Sequence, residues 1–250
     1  MRAIHDYIVI NTFYAHSIAD NIGNYTGTEA GFSAYGALIN KSAVCEGYSE
    51  AFLLLCWTAG IEARLVEGKS YDELGNQVGH EWNIVKIGGK WYQIDCTWDD
   101  PTIYSGGVEQ PESSTGANLR YTYFLVTDAD IKKDHIIEEY YNDTAKTCNS
   151  TDYYEYADNC AFQKKLGSVP YKKVTSYTEA DNAASGYVNQ GITKYAVVYT
   201  EGALDYNTIM NNARTIYGKY LSSGKYSVSC SVQYDRGYEI TVITLTKTAS

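Results

Sequence analysis

Between Cys45 and Ala59 the chain carries no proline and no glycine after Gly47, and it is apolar almost all the way round. Tyr48, Ala51, Phe52, Leu55, Cys56 and Ala59 recur at helical spacing, while Leu53, Leu54 and Trp57 fill most of the remaining face. A helix that is apolar on every side belongs in an interior, so the rest of the chain must be built around it. Gly60 supplies the stop. The helix begins on Cys45. Unpaired N–H groups and the positive end of the dipole at such a start favour a thiolate and can hold an oxyanion.

The next constraint is a hairpin. His80–Ile87 and Lys90–Cys96 read as strands joined by Gly88-Gly89, a two-residue turn signal. That turn sets Ile87 against Lys90, Val85 against Tyr92, Trp82 against Asp95 and His80 against Thr97. Side chains alternate along a strand, so His80, Trp82 and Ile84 share a face with Gln93, Asp95 and Thr97. His80 and Asp95 become diagonal neighbours, about 7 Å apart at the backbone. A cysteine at a helix start beside a His–Asp pair is the constellation of thiol acyl transfer.

Six ordered stretches then carry a resemblance. They are Ile4-His5-Asp6-Tyr7-Ile8-Val9, Ala34-Tyr35-Gly36-Ala37-Leu38, Val44-Cys45-Glu46-Gly47-Tyr48, His80-Glu81-Trp82-Asn83, Asp95-Cys96-Thr97-Trp98-Asp99-Asp100-Pro101 and Tyr123-Phe124-Leu125-Val126-Thr127-Asp128. From about Ile4 to His135 the chain resembles bacterial transglutaminase-like domains, relatives of transglutaminases and papain-fold thiol hydrolases. The resemblance implies an α+β, papain-like core with Cys45 as nucleophile, His80 as base and Asp95 as the orienting acid. It implies no cofactor. A helix N–H, with Tyr35 or Trp82, is the expected oxyanion site. Cross-linkers, hydrolases and inactive members share this pattern, so both hydrolysis and amine transfer on protein, peptide or cell-wall peptide amides stay open. The alternative is a non-catalytic surface domain that binds wall polymer or protein.

Composition narrows the partners. A formal net charge of −10 and no basic patch argue against nucleic acid. No apolar run approaches membrane-spanning length. The 26 tyrosines, with many Ser, Thr and Asn, favour an exported or surface protein. Arg2 opens what already reads as helix, and the expectation is that a signal or anchor preceded Met1 in the natural chain. The six cysteines lack metal-ligand spacing, so no metal site is expected from them. Cys56 reads as a reduced core residue. Cys148 and Cys160 flank a polar loop and would pair if the protein is exported; their spacing leaves that open.

The remaining segments read more plainly. Ile61–Glu67 is a strand. Gly68–Gly79 is a loop with its tip at Asp72-Glu73-Leu74-Gly75-Asn76, bordering the cleft. Asp99-Asp100-Pro101 is an Asx turn in preference to a calcium site. Thr102–Leu119 is a candidate cleft wall or lid. His135, taken alone, is a packed or surface histidine. The stretch from Asn142 to Gly167 is polar and irregular. The domain boundary is expected after it, giving a catalytic domain over 1–168 and a small α+β module over 169–250 with no catalytic constellation.

Overall fold

The computed structural model describes residues 1–71, 75–101, 103–105, 108–110, 118–140, 146–218 and 226–248. The chain divides into two compact units, Met1–Lys164 and Lys165–Ser250. Both mix helices with mainly antiparallel sheet, and the fold class is α+β. No helix among the described residues is long and apolar enough to cross a membrane.

The first unit opens with α1 (Arg2–Asn11), β1 (Phe13–Tyr14) and α2 (His16–Ala19). Then come β2 (Ser42–Ala43), paired in parallel with β1, and α3 (Cys45–Thr58). The sheet region holds β3 (Ala63–Tyr71), β4 (Gln77–Ile87) and β5 (Lys90–Ile94), followed by α4 (Cys96–Asp99). A ribbon of β6 (Ile103–Ser105) and β7 (Val108–Gln110) precedes β8 (Phe124–Val126), α5 (Asp128–Ile131), β9 (Ile136–Tyr140) and α6 (Tyr154–Leu166). The main sheet has the order β8-β5-β4-β3-β9, antiparallel throughout.

Helix α3 buries one stripe rather than its whole circumference. Tyr48, Ala51, Phe52 and Cys56 are fully buried, at the spacing of an amphipathic face. Leu54 and Trp57 remain 47% and 57% exposed. Gly88 and Gly89 take φ of 58° and 83°, the left-handed pair that a tight twisted hairpin demands. The expected register holds at Ile87–Lys90 and Val85–Tyr92, and the ladder ends at Asn83–Ile94. Asp95 therefore leaves the sheet, and Trp82–Asp95 and His80–Thr97 are not ladder pairs. The reason is local: the Asp95 carboxylate caps α4.

Other expectations shift in the same way. Strands β3 and β4 stay paired as far as Tyr71–Gln77, well beyond the expected strand end at Glu67. Residues 72–74 of the expected loop tip lie outside the described residues, as do 102, 106–107 and 111–117 of the expected lid. The polar stretch after Asn142 contains α6, whose Ala157, Cys160, Ala161 and Phe162 form a buried stripe between tyrosines and charges. Cys148 and Cys160 are both free thiols. Cys148 packs with Val66, Trp82, Ile84, Val126 and Ile131.

The second unit contains β10 (Tyr171–Lys173), α7 (Tyr177–Asn189), β11 (Lys194–Thr200), α8 (Tyr206–Ile216), β12 (Tyr226–Asp235) and β13 (Tyr238–Lys247). Its sheet order is β10-β11-β13-β12, with β10 parallel to β11. Ser176 and Asp205 cap α7 and α8. Both helices pack on the face made by Tyr195, Val197, Tyr199, Ile243 and Leu245. Asp235 pairs with Tyr238 across Arg236-Gly237, both at positive φ, which closes a tight hairpin.

Candidate active site

The backbone ahead of α3 fixes where Cys45 sits. Ala15 N–H donates to Ala43 O at 2.9 Å and Val44 N–H to Gly31 O at 3.0 Å. Val44 is extended, with φ −89° and ψ 179°, and its apolar side chain caps nothing. Cys45 thus enters the helix with a partly exposed thiol, at an end whose first-turn N–H groups no N-cap side chain has claimed.

His80 stands on β4, 8% exposed. Its Nε2 lies 2.6 Å from Asp95 Oδ2. Cys45 acts on the same imidazole, through a hydrogen bond and through its charge, and both favour the protonated ring. Burial opposes charge on His80, but the adjacent Asp95 carboxylate, its hydrogen bond and Cys45 outweigh it and lift the pKa to about 10. Asp95 is fully buried. Burial alone would raise its pKa; the His80 charge, together with hydrogen bonds from His135 and His80, holds it far below the usual carboxylate range. Asp95 Oδ1 accepts from Thr97 N–H at 2.8 Å and Trp98 N–H at 3.1 Å. One oxygen caps a helix while the other holds the histidine.

The two candidate oxyanion donors differ in their surroundings. Trp82 is 1% exposed and its indole N–H donates to Gln93 Oε1 at 2.7 Å. It stacks on His80 at 5.6 Å and walls the imidazole instead of facing a substrate. Tyr35 is 58% exposed, at the start of a π-helical turn over Gly36–Asn40. Tyr14 lies on the strand beside the approach to Cys45. It pairs with Ala43, two residues ahead of Cys45. Burial, and then the charges of Cys45 and Asp95, push its phenol well above the ordinary value, so the hydroxyl keeps its proton. No local sequence pattern marks Tyr14; a two-residue parallel bridge brings it there.

A second histidine joins the site. His135 is 2% exposed, and its Nε2 lies 3.1 Å from the same Asp95 Oδ2. Its Nδ1 lies 2.6 Å from Asp134 Oδ1. The rings of Trp98, Trp82 and Tyr123 surround it at 4.7, 5.1 and 5.2 Å. Donor atoms of His80, Asp95 and His135 all fall within 4.8 Å of one another, close enough to hold a metal ion. Both imidazoles direct Nε2 at the same Asp95 oxygen, so a metal there would have to displace these hydrogen bonds.

Around this centre, Asn83 ties β4 to α3 by donating to Ser49 O at 3.0 Å. Ser49 donates its hydroxyl to Glu81. Burial lifts Glu81 to about 7 against the pull of that hydrogen bond, and Glu46, Glu67 and Glu50 add to the rise. Asp99 and Asp100 turn to different partners. Asp99 accepts from Tyr123 N–H at 3.0 Å and pairs with His5 Nε2 at 3.0 Å, whereas Asp100 accepts from Tyr48 at 2.6 Å. The pair is a structural turn.

Comparison with known proteins places this geometry in context. Residues 1–96 match the model of the transglutaminase-like superfamily, a span that includes Cys45, His80 and Asp95. A LIM and transglutaminase domain protein of Caenorhabditis elegans is 28% identical over 141 residues, covering 52% of this chain and 18% of the relative. The kyphoscoliosis peptidase of Mus musculus is 32% identical over 112 residues, covering 42% of this chain and 16% of the relative. The chain thus spans less than a fifth of the length of these curated relatives. The crystal structure of a TGase aligns with a TM-score of 0.34 at 23% identity, over 45% of this chain and 28% of that one.

Proposed function

We propose that this protein catalyses thiol-dependent acyl transfer on protein or peptide amides through Cys45, His80 and Asp95. The observation that carries the reading is the buried His80–Asp95 pair, 2.6 Å apart at Nε2, with Cys45, the first residue of α3, acting on the same imidazole. His80 takes the Cys45 proton, and the thiolate attacks the amide carbonyl. First-turn N–H groups of α3 receive the oxyanion, with the Tyr14 hydroxyl as a second donor in place of Tyr35 and Trp82. His80 then protonates the leaving amine and an acyl-thioester remains. Water resolves it in hydrolysis; a primary amine resolves it in transfer. No step needs a cofactor.

The test is amine release from glutamine-amide and peptide substrates, with and without an added primary amine. Cys45→Ala should abolish turnover with the fold intact. Asp95→Asn should cut it severely, toward the roughly 10⁴-fold seen when a serine-protease aspartate is replaced. If wild type is silent on every substrate and its thiol resists iodoacetamide at neutral pH, the reading fails and a binding scaffold replaces it.

A further inference from the structure

The mechanism above uses one of the two histidines that Asp95 holds. Both nitrogens of His135 face carboxylate oxygens, Nδ1 toward Asp134 at 2.6 Å and Nε2 toward Asp95 at 3.1 Å. A carboxylate only accepts, so each nitrogen must carry a proton and the ring is an imidazolium. The surroundings agree: burial works against the charge, but both carboxylates raise the His135 pKa above its ordinary value. Asp134 is itself fixed, because Tyr123 donates to its other oxygen at 2.6 Å. The order Asp134, His135, Asp95, His80 therefore alternates carboxylate and imidazole on the way to Cys45.

We propose that His135 is a positioning residue for the acyl transfer: clamped between Asp134 and Asp95, it orients the Asp95 carboxylate and takes up part of its charge, which leaves His80 readier to give its proton to the leaving amine. The proposal rests on the catalytic reading of Cys45, His80 and Asp95. Oδ2 of Asp95 serves two imidazoles at once, while Oδ1 is committed to the N–H groups of α4. The His80 and His135 rings lie 5.3 Å apart, close enough for one positive charge to weaken the proton's hold on the other. The groups facing His135 are Asp134, Asp95, His80 and the Tyr123 phenol, with the indoles of Trp82 and Trp98 closing the remaining sides.

Three variants separate the parts. His135→Gln keeps a donor near the Nε2 position and removes the charge. His135→Phe removes both. Asp134→Asn leaves the histidine and loosens its clamp at a position whose side chain is 36% exposed, so folding is not at stake there. The readouts are kcat and KM against pH, and the NMR titration of the His80 ring, assigned by its loss in His80→Gln. In His135→Gln, His80 should titrate at higher pH, the alkaline limb of kcat should move up with it, and kcat should fall roughly tenfold, below the full contribution of a general acid, with KM little changed. His135→Phe should lose more kcat because Asp95 is no longer oriented. Asp134→Asn should shift the titration in the same direction by less. An unmoved His80 titration in both His135→Gln and Asp134→Asn overturns the proposal, as does a loss of kcat that only tracks a fall in Tm. The NMR arm needs no turnover, so failure of the catalytic reading, seen as undiminished activity in Cys45→Ala, remains distinct.

Discussion

At the scale of single residues, Glu81 is a carboxylate whose charge the fold opposes. Its folded pKa of about 7 lies above the unfolded value near 4.5, so the native protein binds the extra proton. That contribution is fully present below about pH 4.5 and is lost as pH rises through 7. Glu81→Gln keeps an acceptor for Ser49 and cannot ionise. It should raise stability at pH 8 by roughly 1–3 kcal/mol and leave pH 4.5 almost unchanged, read by urea unfolding at both values. Equal effects at the two pH values would show that packing decides instead. Residues of this kind differ in how far sequence alone announces them. Cys45, His80 and Asp95 were legible as candidates because a helix start and a hairpin turn set them in local patterns, although Asp95 meets His80 from a helix cap and not from the ladder. His135 was not, because its meaning depends on Asp95, which is far away in sequence. Tyr35 and Trp82 had the right chemistry. The first stays in solvent and the second spends its N–H on Gln93.

At the scale of elements, the decisive passage is the crossing from β8, beside β5 at one edge of the sheet, to β9, beside β3 at the other. His135 lies in that crossing, immediately ahead of β9. Hairpins can be read from their turns, as Gly88-Gly89 was; a crossover between sheet edges has no such local signal. The register of β9 against β3 breaks between Glu67 and Gly68, and Gly68 makes that break possible. A Cβ there would lie 2.0 Å from Ile136 O and 2.8 Å from the Trp82 ring. Neither can yield cheaply, since one is backbone next to His135 and the other walls His80. Gly68→Ala should therefore destabilise by about 1–3 kcal/mol, the usual cost of overpacking, and lower kcat by displacing His135. Gly79→Ala, in the adjacent strand, meets nothing within 4 Å and should be near neutral or slightly stabilising. Thermal midpoints and turnover of the two variants side by side give the answer; similar losses in both would assign the effect to strand glycines in general.

At the scale of the whole molecule, the buried titratable groups pull stability in one direction. His5, held between Asp6 and Asp99, is raised to about 9, since those hydrogen bonds and charges overcome burial; His80 is raised to about 10 and His135 is raised as well. A histidine whose folded pKa exceeds its unfolded value of 6.5 contributes fully below that value and stops contributing as pH climbs through the folded one. Burial pushes the thiols of Cys96 and Cys148 up and lifts Cys56 to about 12, so above about pH 9 the unfolded chain ionises where the native one does not. Glu81 acts in the same sense at lower pH. Against these stand Asp6, Asp95 and Asp130, all held below the usual range by their partners against burial, whose contribution is lost as pH falls below about 3.8. The formal charge of −10 and an isoelectric point near 4.9 add self-repulsion as pH rises. The stability maximum should therefore lie between about pH 4 and 6, with Tm declining steadily toward pH 10. Salt and mutation divide the decline. Added salt at pH 8 should restore the part due to surface self-repulsion and leave the part due to buried histidines. His5→Gln, which cannot be charged, should be less stable at pH 6 and flatten the slope between pH 6.5 and 9. A Tm maximum above pH 8, or a slope that His5→Gln leaves unchanged while salt abolishes it, would locate the effect in surface charge rather than in the buried imidazoles.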